Sequence, residues 1–254
     1  MPDQVKRVVM NQLFNTYQGQ ALLAGAVIGI VQLVASWILL LPMVSGWLKR
    51  LDETRLPAAI DPHLVHKGLE LVWALGAPLL VLFLGIFSTQ DIGIPLPDWQ
   101  LVLPWTAVTV AAALVLLVWL WGRHWRQYPS ECPAPGRTWR DISPAYIIMH
   151  ALCQEGYLAT TRGALIPLGG NYWGIWVGVL AKIAFSLASH RFRRRLLSAR
   201  ERDLALLDWS CDLLSSALFV LTRSLAVTVI ARLLLNGVLS LAAVLLPRRV
   251  ELSE

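Results

Sequence analysis

The sequence predicts an all-α fold, a polytopic transmembrane helix bundle with about seven spanning helices. Of its 254 residues, 56% are hydrophobic and only 15% are charged, whereas an average soluble domain carries about 25% charged residues. Mean hydropathy is +0.58. Apolar runs long enough to cross a bilayer recur along the whole chain. They lie at 20–44, 69–88, 101–122, 142–167, 172–190, 204–222 and 225–246.

The predicted helices form two groups after a short lead-in, residues 1–19, which we expect to lie at the membrane interface. Leu, Val, Ala and Gly dominate residues 20–122, so their three helices are predicted to face lipid. The four helices of residues 142–246 carry nearly all the ionisable groups found within apolar runs, which predicts a polar core there. The N-terminus lacks the pattern of a cleaved signal peptide.

Basic residues concentrate in alternate loops, which predicts the orientation of the chain. Sixteen Lys and Arg residues lie in 45–68, 123–141, 191–203 and the C-terminal tail, against three in the lead-in and the remaining loops. Because Lys and Arg gather on the cytoplasmic side, the N-terminus is expected outside and the C-terminus in the cytoplasm.

The net charge of +6 predicts a bilayer with anionic lipids as the main partner. The arginines lie between apolar runs instead of forming a separate basic domain, which argues against a nucleic-acid partner. Three cysteines (Cys132, Cys153, Cys211) show no metal-type spacing, so neither a disulfide framework nor a structural zinc site is predicted. No cofactor is expected, and tryptophans near predicted span ends are typical of an aromatic belt.

Ionisable residues inside the fourth to sixth predicted helices need partners. Glu155 and Arg162 are seven residues apart and share a helix face. Lys182 lies near the middle of its span, where it cannot snorkel to a surface, so we expect it to pair with Glu155, Asp208 or Asp212. The last two are one turn apart. Paired carboxylates suit metal or acid–base chemistry, but without an HExxH-type spacing the economical role is to neutralise cations.

The last predicted helix carries Arg232 and Asn236 one turn apart on a single face. An arginine at the centre of a spanning helix costs roughly 2.5–3.5 kcal/mol on insertion scales, so something must compensate it. We therefore expect Arg232 to face protein, tethered by an acid such as Asp212 or Glu155.

Three short motifs in residues 143–240 resemble the CPBP family of intramembrane proteases (CAAX prenyl protease and bacteriocin-processing, or Abi, proteins). The segment ALFVLTRSLAVTVIARLLLN, residues 217–236, is similar to the last family block, where a turn leads into a helix bearing HxxxN. Asn236 matches this block, but Arg232 stands at the histidine position. The segment IAFSLASH places His190 where the family's FxxxH ends, with Phe185 displaced by one residue.

The first family block, EExxxRG, is similar to YLATTRG, residues 157–163. Arg162 is kept, but Tyr157 and Leu158 replace the two glutamates, which in the family activate a water. Neither replacement can act as the base. Glu155 is rotated by about 200° from residue 157 on an ideal helix, so we expect it to substitute only where the helix is locally irregular. The resemblance implies a degenerate catalytic site made of Glu155, Arg162, His190, Arg232 and Asn236.

These substitutions predict a CPBP-like membrane protein that is catalytically inactive and acts as a scaffold or accessory subunit of a membrane complex. Arg232 stays protonated and cannot shuttle a proton as histidine does. Two alternatives remain open. One is an active CAAX-type intramembrane endopeptidase that uses Glu155 and His190. The other is a pigment- or cofactor-associated membrane subunit with His150 or His190 as the ligand.

Overall fold

The structure, a computed structural model, describes residues 16–38, 62–127 and 144–245. Within these ranges the chain is all-helical and contains no strand, which confirms the predicted fold class. The predicted lead-in before residue 16, Cys132 and most of the connecting loops with their basic residues lie outside these ranges. The helices are α1 (Tyr17–Ile38), α2 (Pro62–Phe83), α3 (Thr89–Ile92), α4 (Trp99–Gln127), α5 (Pro144–Ala188), α6 (His190–Leu197), α7 (Ala199–Thr222) and α8 (Leu225–Leu245).

Within the described ranges, three helical segments are long and apolar enough to cross a membrane: Trp99–His124, Pro144–Ala188 and Glu201–Thr222. Two apolar helical stretches are shorter, Tyr17–Val31 and Leu225–Ser240. Seven spans are therefore not confirmed in the described part of the chain, although the helices occupy all seven predicted regions. One reason is that α5, a single 45-residue element, covers two of the predicted spans.

A turn at Gly170 divides α5 into two arms, residues 144–169 and 171–188. Gly170 has φ 68° and ψ 180°, a conformation that a side chain would strain. The arms fold back on each other at glycine contacts. A Cβ placed on Gly174 would lie 2.5 Å from the Cα of Ile166, and one on Gly178 would lie 3.4 Å from the amide nitrogen of Arg162. The sequence predicted this break at residues 168–171.

Helices α1 and α2 both pack against α5 through small residues. A Cβ on Gly25 of α1 would lie 2.3 Å from that of Ala164, and one on Gly156 would lie 2.4 Å from the carbonyl oxygen of Ala74 in α2. Such close approach of backbones is the usual way in which helices associate within a membrane. The other faces of α1 and α2 expose large apolar side chains, as expected for lipid-facing helices.

The short helix α3 connects three parts of the bundle at one end. Tyr17 of α1 donates its hydroxyl to Asp91 of α3 at 2.7 Å. Gly93, with φ 82°, ends α3, and its carbonyl oxygen accepts from the amide of Leu225, the first residue of α8, at 2.7 Å. These contacts fix the tight turn between α7 and α8, where Arg223 adopts a left-handed conformation with φ 53°.

Candidate functional site

A cluster of buried charges lies where the two arms of α5 meet α7 and α8. Its side chains are at most 8% exposed. Residues at positions i, i+3, i+4 and i+7 share a helix face, which is why each helix presents its charges on one side. We call this the charge cluster; it comprises Glu155, Arg162, Lys182, Asp212, Ser215, Ser216 and Arg232.

Glu155 is surrounded by donors from three helices. Its Oε1 accepts a hydrogen bond from the hydroxyl of Ser215 at 2.6 Å and another from Nη1 of Arg232 at 3.0 Å. Its Oε2 lies 3.6 Å from Nη1 of Arg162, close enough for an ion pair. Only 1% of Glu155 is exposed, so cations replace the water that would otherwise solvate this carboxylate.

Asp212 binds the other two cations of the charge cluster. Its Oδ1 accepts from Nζ of Lys182 at 2.6 Å and from Nη2 of Arg232. Lys182 also donates to the backbone carbonyl of Gln154 at 3.4 Å, which connects the two arms of α5. Arg232 therefore bridges Glu155 and Asp212, and the prediction that an acid tethers it is confirmed by both contacts. Of the three acids predicted to pair with Lys182, the structure shows Asp212.

Arg162 is fully buried and lies against α7. Its Nη2 donates to the hydroxyls of Ser216 at 3.0 Å and Ser215 at 3.4 Å. Its guanidinium carbon stands 4.4 Å from the centre of the Phe219 ring, a favourable cation–π geometry. Within the described residues, Nε and Nη1 of Arg162 have no hydrogen-bond partner, and neither does Oε2 of Glu155.

A second polar group lies beside the charge cluster, toward the end where α6 begins. His150 Nε2 lies 3.1 Å from Oδ1 of Asp208, and Nη2 of Arg195 in α6 lies 3.9 Å from the other carboxylate oxygen. The backbone carbonyl of Asp208 accepts from Arg232 at 3.4 Å, so the two groups are in contact. Asp208 thus lies within ion-pair distance of a cation, as predicted, but that cation is Arg195, and its other side-chain partner is His150.

The formal charges of the cluster do not cancel. Three cations (Arg162, Lys182, Arg232) face two carboxylates (Glu155, Asp212). Each carboxylate accepts two hydrogen bonds through a single oxygen, Oε1 of Glu155 and Oδ1 of Asp212. Among the described residues no group of three or more His, Cys, Asp and Glu side chains is placed to hold a metal ion.

The structure brings together three of the five predicted site residues: Glu155, Arg162 and Arg232. Asn236 is buried one turn beyond Arg232 on the same helix, and its backbone carbonyl accepts from Ser240 at 2.6 Å. His190 is the first residue of α6, and its side chain lies outside the described residues.

The local irregularity on which a catalytic Glu155 would depend is absent from α5, where Gly170 is the only interruption of helical geometry. Glu155 nevertheless contacts Arg232 from this regular helix. Tyr157, at the position of the first family glutamate, lies beside Glu70 of α2.

Ser216 and Phe219 both contact Arg162, and neither was among the site residues predicted from the sequence. Their spacing could have revealed them, since Phe219 follows Asp212 by seven residues and Ser216 by four, on the same face of α7. Serines in an apolar run are common, which hid this signal.

Chemically, the arrangement is a buried network of ion pairs and hydrogen bonds that joins α5, α7 and α8. Comparison of the chain with protein-family models, curated proteins and solved structures finds no match. The functional proposal therefore rests on the geometry of the charge cluster.

Proposed function

We propose that this chain is a multi-pass membrane protein of about seven spans with a CPBP-like core, catalytically inactive, that acts as a scaffold or accessory subunit of a membrane complex. The observation that supports it is the engagement of Glu155 and Asp212 by cations. Glu155 belongs to the degenerate site that the resemblance implies, and Asp212 shares Arg232 with it.

A general base must reach the proton that it removes, directly or through one water. Glu155 is 1% exposed and its Oε1 is already an acceptor for Ser215 and Arg232. Asp212 is 2% exposed and accepts from Lys182 and Arg232. Both carboxylates hold helices together, which supports a role in binding and not in catalysis.

The proposed orientation has the N-terminus outside and the C-terminus in the cytoplasm. It follows from the basic loops, and the hairpin of α5 supports it because the two arms return the chain to the side where α6 carries Arg193, Arg194 and Arg195. Anionic lipid headgroups on that side would balance these arginines.

A proteolysis assay tests the proposed inactivity. The full chain, purified in detergent and reconstituted in liposomes, is incubated with peptide and prenylated-peptide substrates, and products are followed by mass spectrometry. We expect no cleavage above the background of empty liposomes. Cleavage that disappears in His190→Ala but persists in the control His66→Ala would refute the proposal.

The accessory role is tested separately by the size of the particle released from native membranes by a mild detergent. We expect a particle of fixed mass that contains the chain and other membrane subunits in a constant ratio through successive chromatographic steps. A chain that always elutes alone contradicts this part of the proposal.

A second candidate is an active endopeptidase with Glu155 as base, and one observation favours it. Oε2 of Glu155 has no hydrogen-bond partner among the described residues, so it retains a free lone pair. This candidate predicts cleavage that Glu155→Gln abolishes.

A further inference from the structure

The membrane-facing side of α4 differs from its packed side. Val110, Leu114 and Leu117 are spaced three to four residues apart and contact apolar residues of α7 and α8. The opposite face is exposed along most of its length. It contains a shallow, open groove lined by the side chains of Ala111, Ala112, Val115, Leu116 and Trp119.

The groove arises from side-chain size. Two neighbouring alanines form its floor, while Val115, Leu116 and Trp119 rise beside it one and two turns further along the helix. From Ala111 to Trp119 it extends about 12 Å. One leaflet of the hydrocarbon core is about 15 Å deep, half of the whole core. The groove therefore has the length of an acyl chain segment in a single leaflet.

An exposed cation stands at one end of this groove. Arg123 follows Trp119 by one turn, and its guanidinium carbon lies 5.9 Å from the centre of the Trp119 ring. In the described part of the chain Arg123 forms no ion pair, in contrast to Arg195, which lies near Glu201 and Asp208. An exposed guanidinium that forms no ion pair within the described residues, next to an apolar groove, complements a lipid that has an anionic head and an apolar chain.

We infer that the outer face of α4 binds one anionic phospholipid. Its phosphate pairs with the guanidinium of Arg123, and one acyl chain lies in the groove against Ala112 and Trp119. The site requires that α4 spans the membrane but does not depend on the loss of hydrolysis, so detection of proteolysis would leave this inference standing.

Native mass spectrometry of the detergent-purified chain tests the site. The protein is titrated with phosphatidylglycerol and phosphatidylcholine that carry identical acyl chains. One arginine near a membrane changes the affinity for anionic lipid about fivefold. We expect the first bound lipid to be phosphatidylglycerol with about this preference, and Arg123→Gln to remove it. Arg193→Gln, which removes another exposed arginine, in α6, should retain the preference.

The groove is tested by filling it. Ala112→Leu should weaken the binding of both lipids several-fold, whereas Ala107→Leu, an exposed position outside the groove lining, should not. Equal loss of preference in Arg123→Gln and Arg193→Gln would overturn the inference, because it would indicate a diffuse positive field. A lipid-free dimer that Ala112→Leu disrupts would also overturn it, since the occupant would then be a second copy of the chain.

Discussion

Replacement of Asp212 by asparagine tests whether the charge cluster stabilises the bundle. Asp212 accepts from Lys182 at 2.6 Å and from Arg232, and it is one of two carboxylates that face three cations. Its loss raises the formal charge of the cluster from +1 to +2. Removing one partner of a buried ion pair costs about 3–5 kcal/mol. At about 2–4 °C per kcal/mol, Tm should fall by roughly 6–20 °C.

Thermal unfolding can be followed with a thiol-reactive dye, because Cys153 and Cys211 are free and buried. A Cys132→Ser background leaves these two thiols as the only reporters. Glu201→Gln is the matched control. Its carboxylate is 36% exposed and lies 3.8 Å from Arg195, so its removal should cost less than about 1 kcal/mol.

A double-mutant cycle separates the charge effect from the change in shape. Lys182→Met lowers the formal charge to zero and leaves Asp212 bound to Arg232, so we expect a smaller loss of stability than for Asp212→Asn. Adding Lys182→Met to Asp212→Asn should recover part of the stability lost in the single variant. An Asp212→Asn variant as stable as the wild type, or purely additive effects, would refute the reasoning.

Gly156→Ala should destabilise the protein by about 1–3 kcal/mol, because its new Cβ would lie 2.4 Å from a carbonyl oxygen of α2. The control Gly76→Ala should not destabilise the protein, because a Cβ at residue 76 would point into open space. Equal Tm values for the two variants would contradict the packing described. Ser215→Ala should lower the free energy of unfolding by about 1.5–3 kcal/mol, because it removes a 2.6 Å hydrogen bond to the carboxylate of Glu155. The control Ser210→Ala, at a partly exposed serine of the same helix, should lower it by less than about 0.5 kcal/mol. Chemical unfolding measures both values. Burial and a hydrogen bond to a neighbouring carboxylate raise the pKa of Tyr17, which lies before the first predicted span, above its usual 10.0. The stabilising effect of this contact should be complete below pH 10 and decline as pH rises through the raised pKa. Ultraviolet difference titration of the wild type against Tyr17→Phe measures the pKa of Tyr17. A midpoint at or below pH 10 would exclude the raised pKa.

The existence of the polar core could be predicted from spacing and electrostatics. Glu155 and Arg162 share a face at any helix rotation, and Arg232 needs an acid wherever its helix lies in the bundle. The break at Gly170 could be predicted because the apolar run is too long for one span and contains consecutive glycines.

The pairing of individual charges could not be predicted. Lys182 had three possible acids, and the choice of Asp212 depends on how α7 is rotated against the second arm of α5. The orientation of α7 depends on contacts such as that of Ser216 with Arg162, which joins residues 54 positions apart in sequence. The contact between Tyr157 and Glu70 could not be predicted for the same reason, because it depends on the position of α2, which no local sequence pattern specifies.

The hairpin of α5 has a consequence for how the protein is made. Glu155 and Arg162 can neutralise each other as soon as the first arm leaves the ribosome, because they lie on one helix. Lys182 enters the translocon with no such companion, since Asp212 is synthesised 30 residues later. A lone lysine costs roughly 2.5–3.5 kcal/mol at the centre of an inserting helix. We therefore expect the second arm of α5 to insert more efficiently when α7 follows it in the same chain than when the chain is truncated before α7.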